Sequence, residues 1–512
     1  MLTINNLNIT TLKGRNLVSD FSFSLNDNDK IALIGEEGNG KSTILKIIAG
    51  IDVSDYVNYT GSILCNTTIG YLPQKIEDDW LDKTAEQYIC RKKTNDKDDH
   101  SIYEKYSELY DSFIMVNLDI SILENERIIS TLSGGEKVKL QLAKLLFSDA
   151  GVLLLDEPTN DLDLKTLMFL EEFISNCNKP VIFISHDETL LENCANGILH
   201  LEQLKRKSEP KLTFERLGYK EYCEVRLHRI KRVNEIAKKE KQEFNKQLEK
   251  YRRIYQKVEY QQNTISRGDP HGAAVLKKKM ANLKSQNRKL DDKEKNLTER
   301  FDPEEAINIF FDDIKLDPNK VILDFNLDKL QIEDKVLAEN ISLHVLAKEK
   351  ICIIGDNGSG KSTLIKLLYK DLLNKAELKV GYMPQNYYDM MDYNKTPVEY
   401  LMQGHIDSER GKIQSYLGSL RFTEEEMTHK IEGLSEGQKG KIMIVSLIIS
   451  GCDVIVLDEP TRNLSPLSNP RIREILSDYG GCIISISHDR KFIQEVCTTV
   501  YLLEDNKLTK ME

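Results

Sequence analysis

Residues 35–43 read GEEGNGKST, and residues 355–363 read GDNGSGKST. Each stretch fits the phosphate-binding pattern G-x-x-x-x-G-K-[ST] and follows a short apolar run typical of a buried strand. In such a loop the glycines let backbone N–H groups close around phosphate oxygens at the start of a helix. The chain therefore carries two candidate nucleotide-binding loops, called the first and the second P-loop below.

Three further motifs recur downstream of both P-loops, in the same order. They are LSGGE at 132–136 and LSEGQ at 434–438, LLLDEPT at 153–159 and VIVLDEPT at 454–461, and ISHD at 184–187 and 486–489. The serine of the first motif precedes the aspartate of the second by 23 residues in both copies, and that aspartate precedes the histidine by 30. An internal repeat of this kind predicts two copies of one α/β nucleotide-binding domain.

The two copies differ in length between the P-loop and the LSGGE or LSEGQ motif. From the P-loop lysine to the serine of that motif there are 92 residues in the first copy and 74 in the second. The 18 extra residues are divided evenly on either side of Gln74. We therefore expect the first copy to carry an enlarged insertion.

Length and composition set further limits. A chain of 512 residues with 40% hydrophobic and 30% charged residues is typical of a globular protein with two to four domains. No apolar run approaches the ~20 residues that span a bilayer, and no signal peptide pattern is present, so we expect a cytoplasmic protein without a membrane domain. The nine cysteines contain no C-x-x-C pair, which favours reduced thiols over disulfides or a zinc site.

The segment between the copies has a different composition. Residues 205–300 contain 28 Lys and Arg against 14 Asp and Glu, although the whole chain has a net charge of −11. No Pro or Gly occurs between Tyr219 and Arg267, and apolar residues repeat every seven positions. This pattern predicts two antiparallel helices with a tip at about 259–275, the first on the order of 65 Å long. A solvated helical face is the alternative explanation of the charge.

The repeated motifs contain the side chains that phosphoryl transfer requires. A lysine would neutralise phosphate oxygens, a serine hydroxyl and an aspartate would hold Mg²⁺, a glutamate would act as general base, and a histidine would contact the γ-phosphate. These residues are Lys41, Ser42, Asp156, Glu157 and His186 in the first copy, and Lys361, Ser362, Asp458, Glu459 and His488 in the second.

In tandem, the P-loop, glutamine, LSGG-type signature, DEPT and histidine motifs resemble those of ATP-binding cassette (ABC) proteins. Two cassettes with a charged helical linker and no membrane segment resemble the ABC-F family of ribosome-binding translation factors, over nearly the whole chain. The implied fold is two α/β cassettes joined by an antiparallel helical hairpin. The implied domains are a first cassette at 1–204 with an arm-like insertion at about 77–125, a linker at 205–312, and a second cassette at 313–512.

Cassettes of this family pair head to tail, which implies two sites for ATP and Mg²⁺, each between one P-loop and the opposite signature. The two cassettes of a monomer would close on ATP and separate after hydrolysis. The resemblance adds Gln74 and Gln385 to the Mg²⁺ ligands. The implied nucleotide contacts in the first cassette are Gly35, Glu36, Glu37, Gly38, Asn39, Gly40, Lys41, Ser42, Thr43, Gln74, Ser133, Gly134, Gly135 and Glu136. Those in the second cassette are Gly355, Asp356, Asn357, Gly358, Ser359, Gly360, Lys361, Ser362, Thr363, Gln385, Ser435, Glu436, Gly437 and Gln438.

Departures from the family pattern indicate unequal ATP sites. The second signature has Glu436 where glycine is expected, so its carboxylate should point away from the phosphates or weaken that site. The loop after the second DEPT reads RNLS at 462–465 and lacks the aspartate that the first copy has at Asp163. Neither copy has an aromatic residue to stack on adenine, since Leu12 and Leu330 lie near the expected positions.

The stretches LSEGQ and DEPTRNLSPLSNP resemble the antibiotic-resistance branch of ABC-F proteins, the Vga/Lsa type. This resemblance implies that the ATP-bound protein enters the tRNA exit site of the bacterial 70S ribosome. The hairpin would reach past the P-site tRNA to the peptidyl transferase centre of 23S rRNA and dislodge pleuromutilins, lincosamides or streptogramin A compounds. A basic projection suits such a phosphate-rich environment, with an affinity that falls as salt rises.

Three other functions stay open at this point. The chain could be a housekeeping ABC-F translation factor without drug protection. It could be the ATPase subunit of a membrane transporter whose permease is a separate chain. A DNA-repair or chromosome ATPase is the third alternative, although those proteins insert their coiled coil inside one cassette.

Overall fold

The protein is described by a computed structural model that covers residues 2–89, 106–160, 162–204, 209–264, 270–298, 300, 301, 307, 309–311, 314, 316–332, 335–404 and 406–511. The chain forms two compact units. One consists of Met1–Lys220 together with Glu304–Glu512 and contains both P-loops. The other, Glu221–Pro303, is helical.

The first cassette consists of nine described strands and seven described helices. The strands are β1 (Leu2–Thr11), β2 (Asn16–Leu25), β3 (Lys30–Gly35), β4 (Val57–Cys65), β5 (Ile69–Leu72), β6 (Val152–Asp156), β7 (Val181–Ile184), β8 (Gly197–Leu204) and β9 (Glu209–Glu215). The helices are α1 (Lys41–Ile48), α2 (Ala85–Ile89), α3 (Tyr106–Met115), α4 (Ser121–Glu124), α5 (Gly134–Phe147), α6 (Leu164–Asn176) and α7 (Glu188–Cys194).

A six-stranded sheet of order β5-β6-β7-β3-β8-β9 forms the centre of this cassette, with β9 antiparallel to the parallel strands. A second, antiparallel sheet has the order β2-β1-β4. Every residue of β3, β6 and β7 is buried, as expected for parallel strands covered on both faces. The carboxyl ends of these strands share one edge, which brings the first P-loop, after β3, close to Asp156, at the end of β6.

The second cassette repeats this architecture. Its strands are β10 (Val321–Ile332), β11 (Lys335–Leu346), β12 (Lys350–Gly355), β13 (Val380–Met383), β14 (Val454–Asp458), β15 (Cys482–Ile486), β16 (Thr499–Glu504) and β17 (Lys507–Lys510). Its helices are α10 (Lys361–Leu373), α11 (Pro397–Leu401), α12 (Arg410–Ser419), α13 (Glu424–Thr428), α14 (Glu436–Ser450), α15 (Asn469–Ser477) and α16 (Arg490–Val496). Its main sheet has the equivalent order, β13-β14-β15-β12-β16-β17.

On the N-terminal side of Gln74, the length difference between the copies is explained by strand β4, which the second cassette lacks among its described residues. Strand β4 has nine residues, and no strand follows α10 before β13 in the second cassette, where residues 374–379 are all described. The antiparallel pair β10-β11 therefore lacks the third strand that β1 and β2 have. On the other side of Gln74, three short helices occur in both copies, and residues 90–105 of the predicted insertion lie outside the described residues.

Each signature motif begins a helix. Ser133 and Ser435 are the N-cap residues of α5 and α14, and each side chain accepts a hydrogen bond from the backbone N–H three residues later. The side chains of Glu136 and Gln438 in turn accept a hydrogen bond from the N-cap N–H, which completes a capping box in both copies. The signature sequence thus places a serine and several backbone N–H groups at a helix N-terminus, where the helix dipole favours anions.

The helical unit is an antiparallel pair. Helix α8 (Tyr219–Thr264) has 46 residues, about 69 Å at 1.5 Å per residue, and α9 (Pro270–Lys295) returns beside it. Residues of the predicted seven-residue stripe are buried at Ile230, Ala237, Phe244, Val258, Leu276 and Leu283, and the last three pack together across the two helices. Lys293 bonds Gln247, and Asn234 exchanges two 2.8 Å hydrogen bonds with the backbone of Phe301. Neither helix, nor any other that the structure describes, is long and apolar enough to cross a membrane.

The structure differs from the predicted linker boundaries. Strand β9 pairs with β8, so the main sheet of the first cassette continues beyond the expected end at residue 204. The helical unit spans Glu221–Pro303 rather than 205–312. The composition of residues 205–300 indicated a linker from residue 205, but the last strand of the first cassette begins only at Glu209.

Candidate functional site

Both P-loops follow a buried strand and have the same backbone conformation. The second and third glycines of each loop have φ angles of 75° to 99°, in the left-handed region that favours glycine. Lys41 Nζ donates hydrogen bonds to the carbonyl oxygens of Gly35 and Glu36 at 2.9 and 3.1 Å. Lys361 makes the matching bonds at 2.8 and 2.9 Å. The two ammonium groups are therefore buried inside their loops, beside the N–H groups that can hold phosphate oxygens.

The two DEPT aspartates lie next to the P-loop serines. Ser42 Oγ donates a 2.9 Å hydrogen bond to Asp156 Oδ1, and the Tyr71 hydroxyl donates one of 2.8 Å to Oδ2. Asp458 Oδ1 is buried and makes no hydrogen bond with any residue the structure describes. Burial raises the pKa of both carboxyls. Paired hydroxyl and carboxylate oxygens, one of them unsatisfied, fit the oxygen coordination that Mg²⁺ prefers.

The first candidate general base, Glu157, is surrounded by three side chains. Gln74 Nε2 and Asn160 Nδ2 each donate a 2.7 Å hydrogen bond to Oε2, and His186 Nε2 lies 3.4 Å from Oε1. Burial opposes ionisation, but the hydrogen bond and charge of His186 and the charge of Lys41 lower the pKa of Glu157 to about 2. The predicted glutamine, glutamate and histidine of the first cassette are thus brought together.

The second candidate general base, Glu459, has a different environment. Its Oε2 accepts a 3.2 Å hydrogen bond from the His488 backbone N–H, and the histidine Nε2 lies 3.8 Å from Oε1. Burial raises the pKa of Glu459 to about 8, and burial with the charge of Lys361 lowers the pKa of His488 to about 4. Gln385 lines the adjacent cavity. The pKa values of the two glutamates are therefore shifted in opposite directions.

Both glutamates share an unusual backbone conformation. Glu157 has φ of 50° and Glu459 has φ of 56°, although an acidic residue in the left-handed region costs about 1–3 kcal/mol. The Glu459 N–H donates to the carbonyl of Ile486 at 2.9 Å, which holds the turn at the end of β14. Backbone strain at the same position in both cassettes is characteristic of functional residues.

The second P-loop faces the first signature across a cavity of about 690 Å³, which we call the second ATP site. Such a volume is typical of a small-ligand site. The backbone N–H of Asn357 bonds to Asp163, and Lys165 Nζ lies 3.1 Å from Asp356, so these two neighbouring contacts join the cassettes beside the cavity. The predicted residues that line it are Gly134, His186, Asn357, Gly358, Gly360, Lys361, Ser362, Thr363, Gln385, Asp458, Glu459 and His488.

The first P-loop faces the second signature, and we call this junction the first ATP site. A cavity of about 20 Å³ at this junction is lined by Glu36, Glu37, Gly437 and Ser465, and the Glu37 carboxylate accepts a hydrogen bond from the Gly437 N–H. A Cβ at Gly437 would lie 2.5 Å from the carbonyl oxygen of Asn463, so glycine is required there. His186 Nδ1 is 2.8 Å from the carbonyl oxygen of Leu464, a further bond between the cassettes.

The residues that depart from the family pattern lie in three different environments. The Glu436 carboxylate lies 2.8 Å from Lys439 on the same helix and is half exposed. Ser465, in place of the expected aspartate, is buried at the first ATP site. Leu330, near the position expected for an adenine-stacking residue, is buried in the core, and Leu337 lines the second ATP site instead.

Several residues at the two sites were not predicted. Tyr71 was missed because a tyrosine three residues before the glutamine has no chemical signature of its own. Buried Arg473 bonds Glu188 through two nitrogens at 2.6 and 3.2 Å, and Arg490 Nη1 lies 2.7 Å from Glu171. These ion pairs join the cassettes beside the two histidine loops. Their partners are about 300 residues apart in sequence, so only the three-dimensional structure reveals them.

The arrangement fits Mg²⁺ and ATP. Each P-loop can hold the β- and γ-phosphates, and the serine and aspartate beside it can hold Mg²⁺ directly or through water. Bound Mg²⁺ would neutralise charge on the phosphate oxygens and orient the terminal phosphoryl group. Glu157 and Glu459, directly after the two aspartates, could accept a proton from an attacking water, and each signature helix could present its N–H groups to the phosphates.

Comparison with known proteins agrees with this geometry. A family model described as ABC transporter matches residues 18–160 and 338–462. The chain is 27% identical to ABC transporter F family member 5 of Arabidopsis thaliana, over 97% of this chain and 74% of that protein. It is 28% identical to the ribosome protection protein VmlR of Bacillus subtilis, over 98% of this chain and 86% of that protein.

A solved structure has the same tandem fold. The archaeal ribosome recycling factor aABCE1, crystallised with an archaeal ribosomal stalk protein, superposes with a TM-score of 0.57 at 17% identity. The match covers 94% of this chain and 84% of that chain. Because the family model matches more than half of the residues in two separate blocks, this chain belongs to the ABC family of ATPases, in which it resembles F-family members over its whole length.

Proposed function

We propose that this chain is a ribosome-binding ABC-F ATPase that protects bacterial ribosomes from drugs acting at the peptidyl transferase centre. The observation that carries the proposal is the match to a ribosome protection protein over 98% of this chain, a span that includes the basic helical unit as well as both cassettes. Neither the cassettes nor the fold alone would indicate that the protein binds a ribosome, because ABC cassettes serve many functions.

The cassettes supply the energy for this cycle. When they close on ATP, Ser133 and Ser435 approach the phosphates held by the opposite P-loop. Glu157 and Glu459 take a proton from the attacking water as the bond between the terminal phosphorus and its bridging oxygen breaks. Product release separates the cassettes, since each signature then loses the phosphate that it contacted.

The helical unit supplies the contact with RNA. Near the end of α8, Arg252, Arg253 and Lys257 are exposed, while Ile254 and Tyr260 are 52% and 69% exposed. Cationic side chains beside exposed aromatic and apolar ones suit phosphates and unstacked bases of rRNA or tRNA. We infer that this end of the hairpin enters the tRNA exit site and acts at the peptidyl transferase centre, next to the P-site tRNA.

Sedimentation with ribosomes tests the ribosomal part of the proposal. The Glu157→Gln/Glu459→Gln protein should migrate with bacterial 70S particles through sucrose in ATP and remain at the top in ADP. A Lys41→Ala/Lys361→Ala protein is the matched control, because it lacks the phosphate-binding cations and should not migrate with ribosomes in either nucleotide. Equal migration with and without ATP, or none at all, would contradict an ATP-gated ribosome factor.

Drug susceptibility separates protection from housekeeping translation. A housekeeping factor is the second candidate function, because the chain is about as similar to F family member 5 (27%) as to the ribosome protection protein (28%). Expression in a sensitive bacterium should raise the inhibitory concentration of pleuromutilins, lincosamides or streptogramin A compounds. Unchanged inhibitory concentrations for all three classes, with ribosome binding intact, would favour the housekeeping function.

Removing the hairpin tip should uncouple protection from ATP hydrolysis. We expect replacement of residues 259–275 by a short Gly-Ser turn to return the inhibitory concentration to that of cells without the protein. ATPase turnover should stay within about twofold of wild type, because all the candidate catalytic side chains belong to the cassettes. The Lys238→Ala/Lys239→Ala variant, which removes two exposed charges far from the tip, is the control and should keep most of the resistance. Full resistance in the trimmed protein would exclude a role for the tip.

A further inference from the structure

The first P-loop carries a carboxylate that the second P-loop lacks. Glu37 occupies the position of Asn357 in the aligned motifs GEEGNGKST and GDNGSGKST. Its carboxylate reaches the opposite cassette and accepts a hydrogen bond from the backbone N–H of Gly437. The neutral side chain at 357 lines the large cavity of the second ATP site instead.

The group that Glu37 binds is suited to a phosphate oxygen. Gly437 is the second residue of α14, so its N–H has no partner within the helix and carries part of the positive end of the helix dipole. A phosphate held by the first P-loop would approach this N–H when the cassettes close. Glu37 therefore supplies, from within the chain, the negative charge that ATP would supply.

The neighbouring acid strengthens the same junction. Glu36 Oε1 lies 3.6 Å from Lys441 Nζ and 3.6 Å from an Arg421 guanidinium nitrogen, both in the second cassette. Two consecutive carboxylates of the first P-loop thus engage the N–H group and two cations beside the second signature. The cavity that Glu36 and Glu37 line at this junction holds about 20 Å³, whereas the cavity that Asn357 lines at the second ATP site holds about 690 Å³.

We propose that Glu37 is an internal competitor of the terminal phosphate and determines the order in which the two ATP sites fill. The second ATP site, with Asn357 and an open cavity, binds ATP first. The first ATP site binds ATP only when the carboxylate leaves Gly437, so its affinity for the triphosphate is reduced. ADP has no terminal phosphate to compete for this N–H, and Glu37 has little effect on its affinity.

Calorimetry with ATP and Mg²⁺ tests the proposal in the Glu157→Gln/Glu459→Gln background, where hydrolysis does not interfere. We expect two classes of ATP site whose affinities differ by about 10- to 100-fold, as for one charged hydrogen bond. Addition of Lys41→Ala should abolish the weak class, and addition of Lys361→Ala should abolish the tight class. Two sites of equal affinity, or loss of the tight class with Lys41→Ala, would overturn the proposal.

Neutralising Glu37 provides the decisive comparison. Glu37→Gln keeps the shape of the side chain, and Glu37→Asn installs the residue of the second P-loop. Both should tighten the weak ATP class to within about threefold of the tight class and leave ADP affinity unchanged. A weaker ATP class would mean that Glu37 helps to hold ATP, and an equal gain for ADP would mean a general charge effect. Either result would refute competition, and the unaltered tight class shows that the variant is folded.

Discussion

Glutamine in place of both Glu157 and Glu459 is expected to lower ATP turnover by about 10²–10⁴-fold, the usual contribution of a general base. Both carboxylates follow a buried aspartate at the end of a central strand, and both are held by a strained backbone beside a histidine. Glutamine keeps the size and most hydrogen bonds of the side chain but cannot take the proton of the attacking water. ATP binding should therefore persist, as measured by fluorescence of a labelled ATP analogue.

Single variants and a remote control make this result specific. Glu157→Gln and Glu459→Gln should each retain more turnover than the double variant, since each leaves one site with its base. Glu172→Gln, on the exposed face of α6, should keep wild-type turnover. If the double variant retained turnover within tenfold of wild type, another group would have to act as the base.

Removing Arg473 is expected to have the largest effect on stability. Its side chain is 2% exposed, and it bonds Glu188, which is 4% exposed, in the opposite cassette. Arg473→Ala would leave this carboxylate buried, and Lys491 at 3.5 Å would be its remaining cation within the described part of the chain. Loss of one partner of a buried ion pair costs about 3–5 kcal/mol. Thermal and urea unfolding should show this loss.

A paired replacement identifies the cause of the loss. Arg473→Met with Glu188→Leu removes both charges and keeps the apolar volume, so it should recover much of the stability lost by Arg473→Ala. Lys329→Ala is the surface control, because its partner Glu339 lies 3.5 Å away with both side chains about half exposed. We expect that control to cost less than about 1 kcal/mol. A similarly small cost for Arg473→Ala would show that the buried pair does not hold the cassettes together.

The fold and the candidate reacting groups could be predicted because both depend on local sequence. A P-loop needs glycines at fixed positions and a lysine at the start of a helix, so Lys41 and Lys361 are recognisable from nine residues each. Buried strands followed by DEPT place an aspartate and a glutamate at the same sheet edge. The equal spacings of these motifs in the two copies predicted the tandem architecture that the structure shows.

The asymmetry between the ATP sites was only partly predictable. Glu436 was expected either to point away from the phosphates or to weaken the first ATP site, and its half-exposed carboxylate lies 2.8 Å from Lys439 on the same helix. No effect of Glu37 on the asymmetry was predicted, because a glutamate at a variable position of the P-loop pattern fits the motif. Its effect depends on Gly437, 400 residues later, which only the packing of the cassettes brings near.

The left-handed backbone at Glu157 and Glu459 affects how the two cassettes can change over evolution. Glycine adopts this conformation at little cost, and both glutamate codons are one base away from a glycine codon. A single mutation from glutamate to glycine at either position would remove the general base and would also relieve the backbone strain. The fold therefore does not oppose the loss of catalysis in one cassette, and selection on turnover alone must preserve the two glutamates.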